Sequence, residues 1–163
     1  MKIKIAILGS TGSIGKSTLD VIKKDKKNFD VILLYANNNY KKLIQQAKEF
    51  NVKNVIIKNK TLYLKVKNSL KKTKTKVYSG DISIINIISG KLDYTMSAIV
   101  GVAGLQPTVD AVKISKTVAI ANKETIICGW EILSKHIKKY KTKIIPVDSE
   151  HFSIMELTKD ITD

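Results

Sequence analysis

The chain of 163 residues contains no arginine: its 29 basic side chains are all lysines, set against 14 acids for a formal charge of +15. A charge of that size invites a nucleic-acid reading, because clustered cations release counterions from phosphates. The missing guanidinium argues against it, since the planar arginine fork is what reads guanine and grips phosphate in pairs. The lysines gather instead in runs such as "KKDKK", "KKTKTK" and "KHIKKYK". Periodicity assigns these to the polar faces of helices, where a solvated surface accounts for them. No nucleic-acid partner is therefore expected.

Cysteine is nearly absent as well. Cys128 stands alone, so an intrachain disulfide is excluded and a reducing, cytoplasmic setting is expected. Its apolar neighbourhood, "TIICGW", predicts a buried thiol rather than a nucleophile. No apolar run approaches the ~20 residues that cross a bilayer, so no membrane partner is expected. The opening "MKIKIAILG" lacks a small-residue cleavage site and runs straight into a glycine, as a first buried strand does and a signal peptide does not. There are two prolines and no Pro/Gly-rich linker. Composition changes only after Pro146, and the length suits one globular domain with a tail.

What the sequence does contain is alternation. Residues 2–8 are an Ile-rich apolar run that ends at Gly9, a buried strand by length and β-branching. A helix follows, capped by Ser13 or a neighbour, with Ile14, Thr18, Val21 and Ile22 at helical spacing. "DVILLYANNN" is a second strand, "YKKLIQQAKEF" a second helix, "KNVIIKN" a strand, "LYLKVKNSLKK" a helix and "TKVYSG" a short strand. "DISIINIIS" reads as a further short helix. "LDYTMSAIV", "KTVAIAN" and "TKIIPVD" then read as strands separated by the helices "GLQPTVDAVKIS" and "KETIICGWEILSKHIKKY". Apolar strands alternating with amphipathic helices predict an α/β fold with a doubly wound parallel sheet, Rossmann-like in class.

The stretch "ILGSTGSIGKS" at residues 7–17 fits two phosphate-binding loops. From Ser10 it is one residue short of G-x-x-x-x-G-K-[ST], the nucleoside-triphosphate loop. From Gly9 it is G-x-x-G-x-x-G, a variant of the dinucleotide fingerprint with Ser10 replacing a glycine. A triphosphate hydrolase also needs an Asp closing an apolar strand to hold Mg²⁺. The strands at 31–36 and 117–121 run into Asn instead, and "IIPVD" carries Pro146, which is unsuited to a central strand. The dinucleotide reading has its required strand–turn–helix context. In it Gly9 makes the tight turn, Gly12 lets the backbone approach a pyrophosphate, and Gly15 lets helix and strand pack closely. The second strand ends in Asn37, Asn38 and Asn39 with Lys41 and Lys42 beyond. An acid at that place would bind a ribose 2′-hydroxyl and repel a 2′-phosphate. Its absence permits NADPH, although an Asn run also serves as an ordinary turn.

Three more stretches follow "GSTGSIG" in order: "SAIVGVAGLQPT" (97–108), "ANKETIICG" (121–129) and "PVDSEH" (146–151). Together they resemble the 1-deoxy-D-xylulose 5-phosphate reductoisomerase family, over essentially the whole chain. The resemblance implies an NADPH-binding domain over residues 1–145 and the start of a catalytic domain over 146–163. It implies that Thr11, Gly12, Ser13 and Ile14, behind Gly9, line the cofactor phosphates. Asn37, Asn38 and Asn39 would border the adenosine ribose, with Asn122 and Glu124 near the cofactor. Lys123 would face the substrate as the catalytic cation. Asp148 and Glu150 would bind Mg²⁺ or Mn²⁺, with Ser149 and Glu150 touching a sugar-phosphate substrate. Where this chain has Asn38 the family often has a basic residue, which loosens the expected grip on a 2′-phosphate.

These residue types suit the implied chemistry. Moving a carbon skeleton and then reducing an aldehyde requires substrate oxygens to be polarised, which carboxylate-held hard cations do. In an extended segment residues 148 and 150 point the same way, so two acids can share one ion. Lys123 offers charge stabilisation without proton transfer. Enzymes of that family run to more than twice this length and are expected to be homodimers, so the resemblance implies that the chain is a fragment ending after its first metal carboxylates. A free-standing NADP(H)-binding module without turnover is the alternative, which "PVDSEH" disfavours.

Overall fold

The computed structural model describes residues 1–147. Among these residues seven strands and five α-helices follow one another, alternating except between β4 and β5: β1 (Ile3–Leu8), α1 (Ser13–Lys24), β2 (Phe29–Ala36), α2 (Tyr40–Glu49), β3 (Asn54–Ile57), α3 (Tyr63–Leu70), β4 (Lys76–Ser79), β5 (Leu92–Ser97), α4 (Leu105–Ile114), β6 (Ser115–Ile120), α5 (Lys123–Tyr140) and β7 (Lys143–Pro146). All strands pair in parallel, in the order β4-β3-β2-β1-β5-β6-β7. The chain starts at the centre, builds outward to β4, and returns to lay β5 on the other side of β1. The predicted doubly wound parallel sheet is the observed one, and its direction of winding reverses between β1 and β5, where such sheets open a crevice at the strands' carboxyl ends.

Each face of the sheet has its own core. Ile5 and Ile7 pack with Leu19, Ile22, Leu43 and Val66 beneath α1–α3. Ala6 and Leu8 pack with Val109, Val112 and Leu133 beneath α4 and α5. The strands supply both layers because alternate side chains leave opposite faces. One irregularity matters for the site. Ile5 pairs with Val31 but Ala6 with Leu33, so Ile32 is an extra residue in β2. This bulge sends both Ile32 and Leu33 to the α4–α5 side, and the new phase puts Tyr35 on that side too.

Several local expectations are corrected. α1 begins at Ser13 with Gly12 as its N-cap, and no side chain caps it. Its inward line is Gly15, Leu19 and Ile22; Ile14 and Val21 are exposed, because the helix meets the sheet one step round from the line read off the sequence. Residues 81–89 hold only a single 3-10 turn, Ile84–Asn86. Ser83 Oγ caps it locally and donates to Asp110 of α4 at 2.5 Å, and the Ile-rich run has little helix propensity of its own. Cys128 is exposed, not buried: α5 turns Thr125, Gly129 and Leu133 inward, and Cys128 lies off that line. Pro146 sits in β7, an edge strand, where the missing N–H breaks no inner ladder.

Candidate functional site

The crevice at the reversal point is walled on one side by the glycine loop. Gly9 has φ +86°, and a Cβ there would run into the backbone of Ala98. A Cβ on Gly15 would run into Gly9 and Ser10. These two glycines are demanded by the fold itself. Gly12 is different: its φ is −75°, and a Cβ would meet nothing closer than the Gly9 carbonyl oxygen at 3.4 Å. The chain has room for a side chain at Gly12, and that side chain would project at the uncapped start of α1. No acid stands in the first turn of α1, so its N–H groups and dipole remain available to an anion. By contrast, α2 and α5 are capped by the side chains of Asn39 and Asn122.

The loop is held from behind. Its Gly9 and Ser10 N–H groups both donate to the Tyr35 carbonyl at 2.9 Å. Ser10, the residue that breaks both loop patterns, is fully buried. Its Oγ donates to Gln46 Oε1 at 2.9 Å, and Gln46 Nε2 donates back to the Ser10 carbonyl at 2.9 Å. The side chain at position 10 therefore faces α2 and not the crevice, which is why a serine serves there. Lys16, required by the triphosphate reading, lies away from the crevice, in a shallow hollow between α1 and α2 with Asp20 and Gln45.

A cleft of about 260 Å³ runs along the loop, lined by Gly9, Thr11, Gly12, Asn37, Ala98 and Val100. A second, of about 300 Å³, reaches Ser83, Gln106 and Asp110. The two share Tyr35, Lys58 and Ala103. Burial, and secondarily Asp81, pushes the Tyr35 phenol above its ordinary pKa, so it stays a neutral hydroxyl at physiological pH.

The three asparagines after β2 divide their work. Asn37 lines the cleft. Asn38 is exposed and accepts from Asn59 Nδ2 at 2.9 Å. Asn39 Oδ1 accepts from the Lys42 N–H at 3.2 Å and caps α2. Asn122, expected near a cofactor, is buried and braces the opposite wall. Its Nδ2 donates to the carbonyls of Ile99 and, at 2.7 Å, Gly101, while its Oδ1 accepts from the Thr125 N–H at 3.2 Å. Its side chain thus shapes the loop at 98–104. Lys123 is exposed and Glu124 half-buried at the start of α5, at the same carboxyl edge. A lysine where the helix dipole is already positive deepens a field that suits an anion. The clasp of Gln46, the phenol of Tyr35 and the brace at Asn59 were not singled out in the sequence, since nothing local ties residues so far apart.

Asp148, Ser149, Glu150 and His151 lie outside the described residues. The last described residue lies at the carboxyl edge of the sheet: the Val147 N–H donates to the Ile120 carbonyl at 3.0 Å, at the end of β6. Among the described residues no group of three or more acids, histidines or cysteines could hold a metal, and no helix is long and apolar enough to cross a membrane.

The family model described as 1-deoxy-D-xylulose 5-phosphate reductoisomerase matches residues 5–129. A curated relative of that name from Pelagibacter ubique is 56% identical over 156 residues, covering 94% of this chain and 40% of the relative. One from Bacteroides fragilis is 42% identical, covering 95% and 40%. The chain thus spans about 40% of the length of the curated relatives it matches. Among solved structures, the Zymomonas mobilis enzyme in complex with NADPH superposes with TM-score 0.87 at 37% identity, covering 93% of this chain and 40% of that one. A DOX-P reductoisomerase in complex with NADPH, fosmidomycin and magnesium superposes with TM-score 0.85 at 33% identity, covering 91% and 37%.

Proposed function

Because the chain belongs to the 1-deoxy-D-xylulose 5-phosphate reductoisomerase family, we propose that it binds NADPH across the carboxyl edge of its sheet. We further propose that it forms the cofactor part of an enzyme that rearranges and reduces 1-deoxy-D-xylulose 5-phosphate to 2-C-methyl-D-erythritol 4-phosphate in non-mevalonate isoprenoid synthesis. The observation that carries this is Gly12, where the fold leaves room for a side chain that the loop nonetheless lacks. A pyrophosphate lying against Gly12 and the free N–H groups of Ser13 and Ile14 gives that glycine its reason.

In this reading residues 1–145 are the NADPH-binding domain. Thr11 and Gly12 border the phosphates, and Asn37 and Asn38 border the adenosine ribose. Asn39 and Asn122 act by fixing α2 and the loop at 98–104. Lys123 places a cation beside the reacting centre, stabilising negative charge that develops on a substrate oxygen. Glu124 orders the start of α5 as an acid in its first turn. Asp148 and Glu150 hold Mg²⁺ or Mn²⁺, and Ser149 and Glu150 meet the sugar phosphate. Bound NADPH supplies the hydride, and the cation supplies Lewis-acid polarisation. A cytoplasmic setting and a homodimer of the full-length enzyme belong to the same proposal.

Fluorescence titration with NADPH tests the binding, which is expected with the 163-residue chain alone. Joining residues 1–163 to the remaining length of a relative is expected to yield metal-dependent oxidation of NADPH by substrate. Loss of that turnover in Asp148→Asn or Glu150→Gln, with NADPH binding intact, supports the ligand assignment. A chimera that binds NADPH yet turns over equally well with both acids replaced refutes it.

A further inference from the structure

The orientation of the Asn38 side chain is decided by a residue on the neighbouring strand's loop. The backbone N–H of Thr61 can only donate, so the Asn59 atom it meets at 3.0 Å is the amide oxygen. Thr61 Oγ1 donates to the same oxygen at 2.7 Å. The other arm of Asn59 is therefore its NH₂, and the Asn38 atom it meets at 2.9 Å must be an oxygen. That leaves the Asn38 NH₂ turned away from Asn59, on an exposed residue, with no acceptor among the described residues. The backbone keeps this pair in place: Ala36 pairs with Ile57 in the parallel ladder, and the Asn59 N–H donates to the Asn37 carbonyl at 3.2 Å.

We propose that Asn59 is a specificity-determining, positioning residue that fixes Asn38 as a pure donor toward the ribose 2′ position, and so selects a 2′-phosphate over a 2′-hydroxyl. The proposal rests on the NADPH reading above and adds a reason for selectivity without a basic residue at 38. An amide free to flip could present its oxygen to a hydroxyl and serve either cofactor. Held by Asn59, it offers two N–H groups, which gain most from an anionic acceptor. No acid stands in the first turn of α2 to repel that anion.

The test is parallel titration of the 163-residue chain with NADPH and NADH. Asn59→Ser keeps an oxygen to cap the turn at Thr61 but is too short to reach Asn38. It is expected to lower the NADPH-to-NADH affinity ratio about five- to tenfold, mostly through weaker NADPH binding, with an unchanged melting temperature. Asn38→Asp, on an exposed residue, keeps the bond from Asn59 but turns a carboxylate oxygen toward the ribose, and is expected to reverse the preference to NADH. A ratio unchanged in a folded Asn59→Ser chain overturns the role of Asn59. If Asn59→Ser fails to fold, a preference not reversed by Asn38→Asp overturns it. A wild-type chain that binds neither dinucleotide overturns the NADPH reading itself.

Discussion

The sheet is hollowed at both edges, and the two hollows differ in kind. At the amino ends of the strands lies one of about 370 Å³, lined by Lys4, Lys53, Lys74, Lys76 and Lys91. The carboxyl-edge cleft along the glycine loop is smaller, about 260 Å³. The lysine-lined hollow has charge and volume, but its cations are on flexible stems, and Lys53 is already paired to Asp30 at 2.7 Å. The carboxyl-edge cleft has few charges and a rigid backbone: a left-handed Gly9, a buried clasp behind Ser10 and an uncapped helix start. In the proposed reading, anion recognition rests on fixed N–H geometry, which needs no reorganisation when a ligand arrives, and not on the number of cations.

Breaking the backbone geometry is expected to have the largest effect. Gly12→Val should abolish NADPH binding while leaving thermal melting nearly unchanged, since its Cβ has room in the chain. Gly15→Val should instead unfold the chain, because its side chain would overlap the backbone of Gly9 and Ser10. Equal melting behaviour of the two variants would erase the distinction between a ligand-facing and a fold-facing glycine.

Next in size is the clasp behind the loop. Gln46→Leu leaves the buried Ser10 hydroxyl and carbonyl without their partners, a cost of about 1–3 kcal/mol in stability. NADPH should bind more weakly as the loop loosens. Chemical denaturation and titration of the same variant measure both, and unchanged affinity would mean that the loop holds its shape without α2.

At the amino edge the expected effect on binding is close to nil. Replacing Lys76 and Lys91 by Ala should change NADPH affinity less than about twofold at physiological ionic strength, where exposed charges beyond a Debye length are screened. A large loss would move the anion site to the lysine-lined hollow.

The smallest effect concerns pH. The hydrogen bond from Lys116, and then that from the Lys4 N–H, holds the Asp93 carboxyl below its usual pKa. Its contribution is therefore present above the unfolded-state pKa and fades as pH falls through the lower folded one. Melting curves of wild type and Lys116→Met should differ slightly near neutrality and converge in acid. The pair is exposed, so the difference is small.

The alternation of strands and helices and the family were legible in the sequence because both are local. Buried parallel strands are continuous apolar runs, and the motifs at 9–15, 97–108 and 121–129 fall within the span the family model matches. Phase was less legible. "TIICGW" is apolar all round, and only the contact of α5 with α4 decides that Gly129 goes in and Cys128 stays out: a Cβ on Gly129 would overlap Leu105. The run at 81–89 is apolar enough for a helix, yet its Ser83 is pinned by Asp110, 27 residues away.

By itself the sequence determined all the elements but the run at 81–89, the parallel α/β class, the glycine loop and the family, since hydrophobic period and turn chemistry act over a few residues. Only the tertiary structure decided how the loop is held and which way its neighbours face. The pairing of Ala36 with Ile57 carries Asn38 and Asn59 into contact. The docking of α2 on β2 and β3 buries Ser10 against Gln46. Both contacts join residues 21 and 36 positions apart, and such pairs exist only once strand register and helix docking have brought distant parts of the chain together.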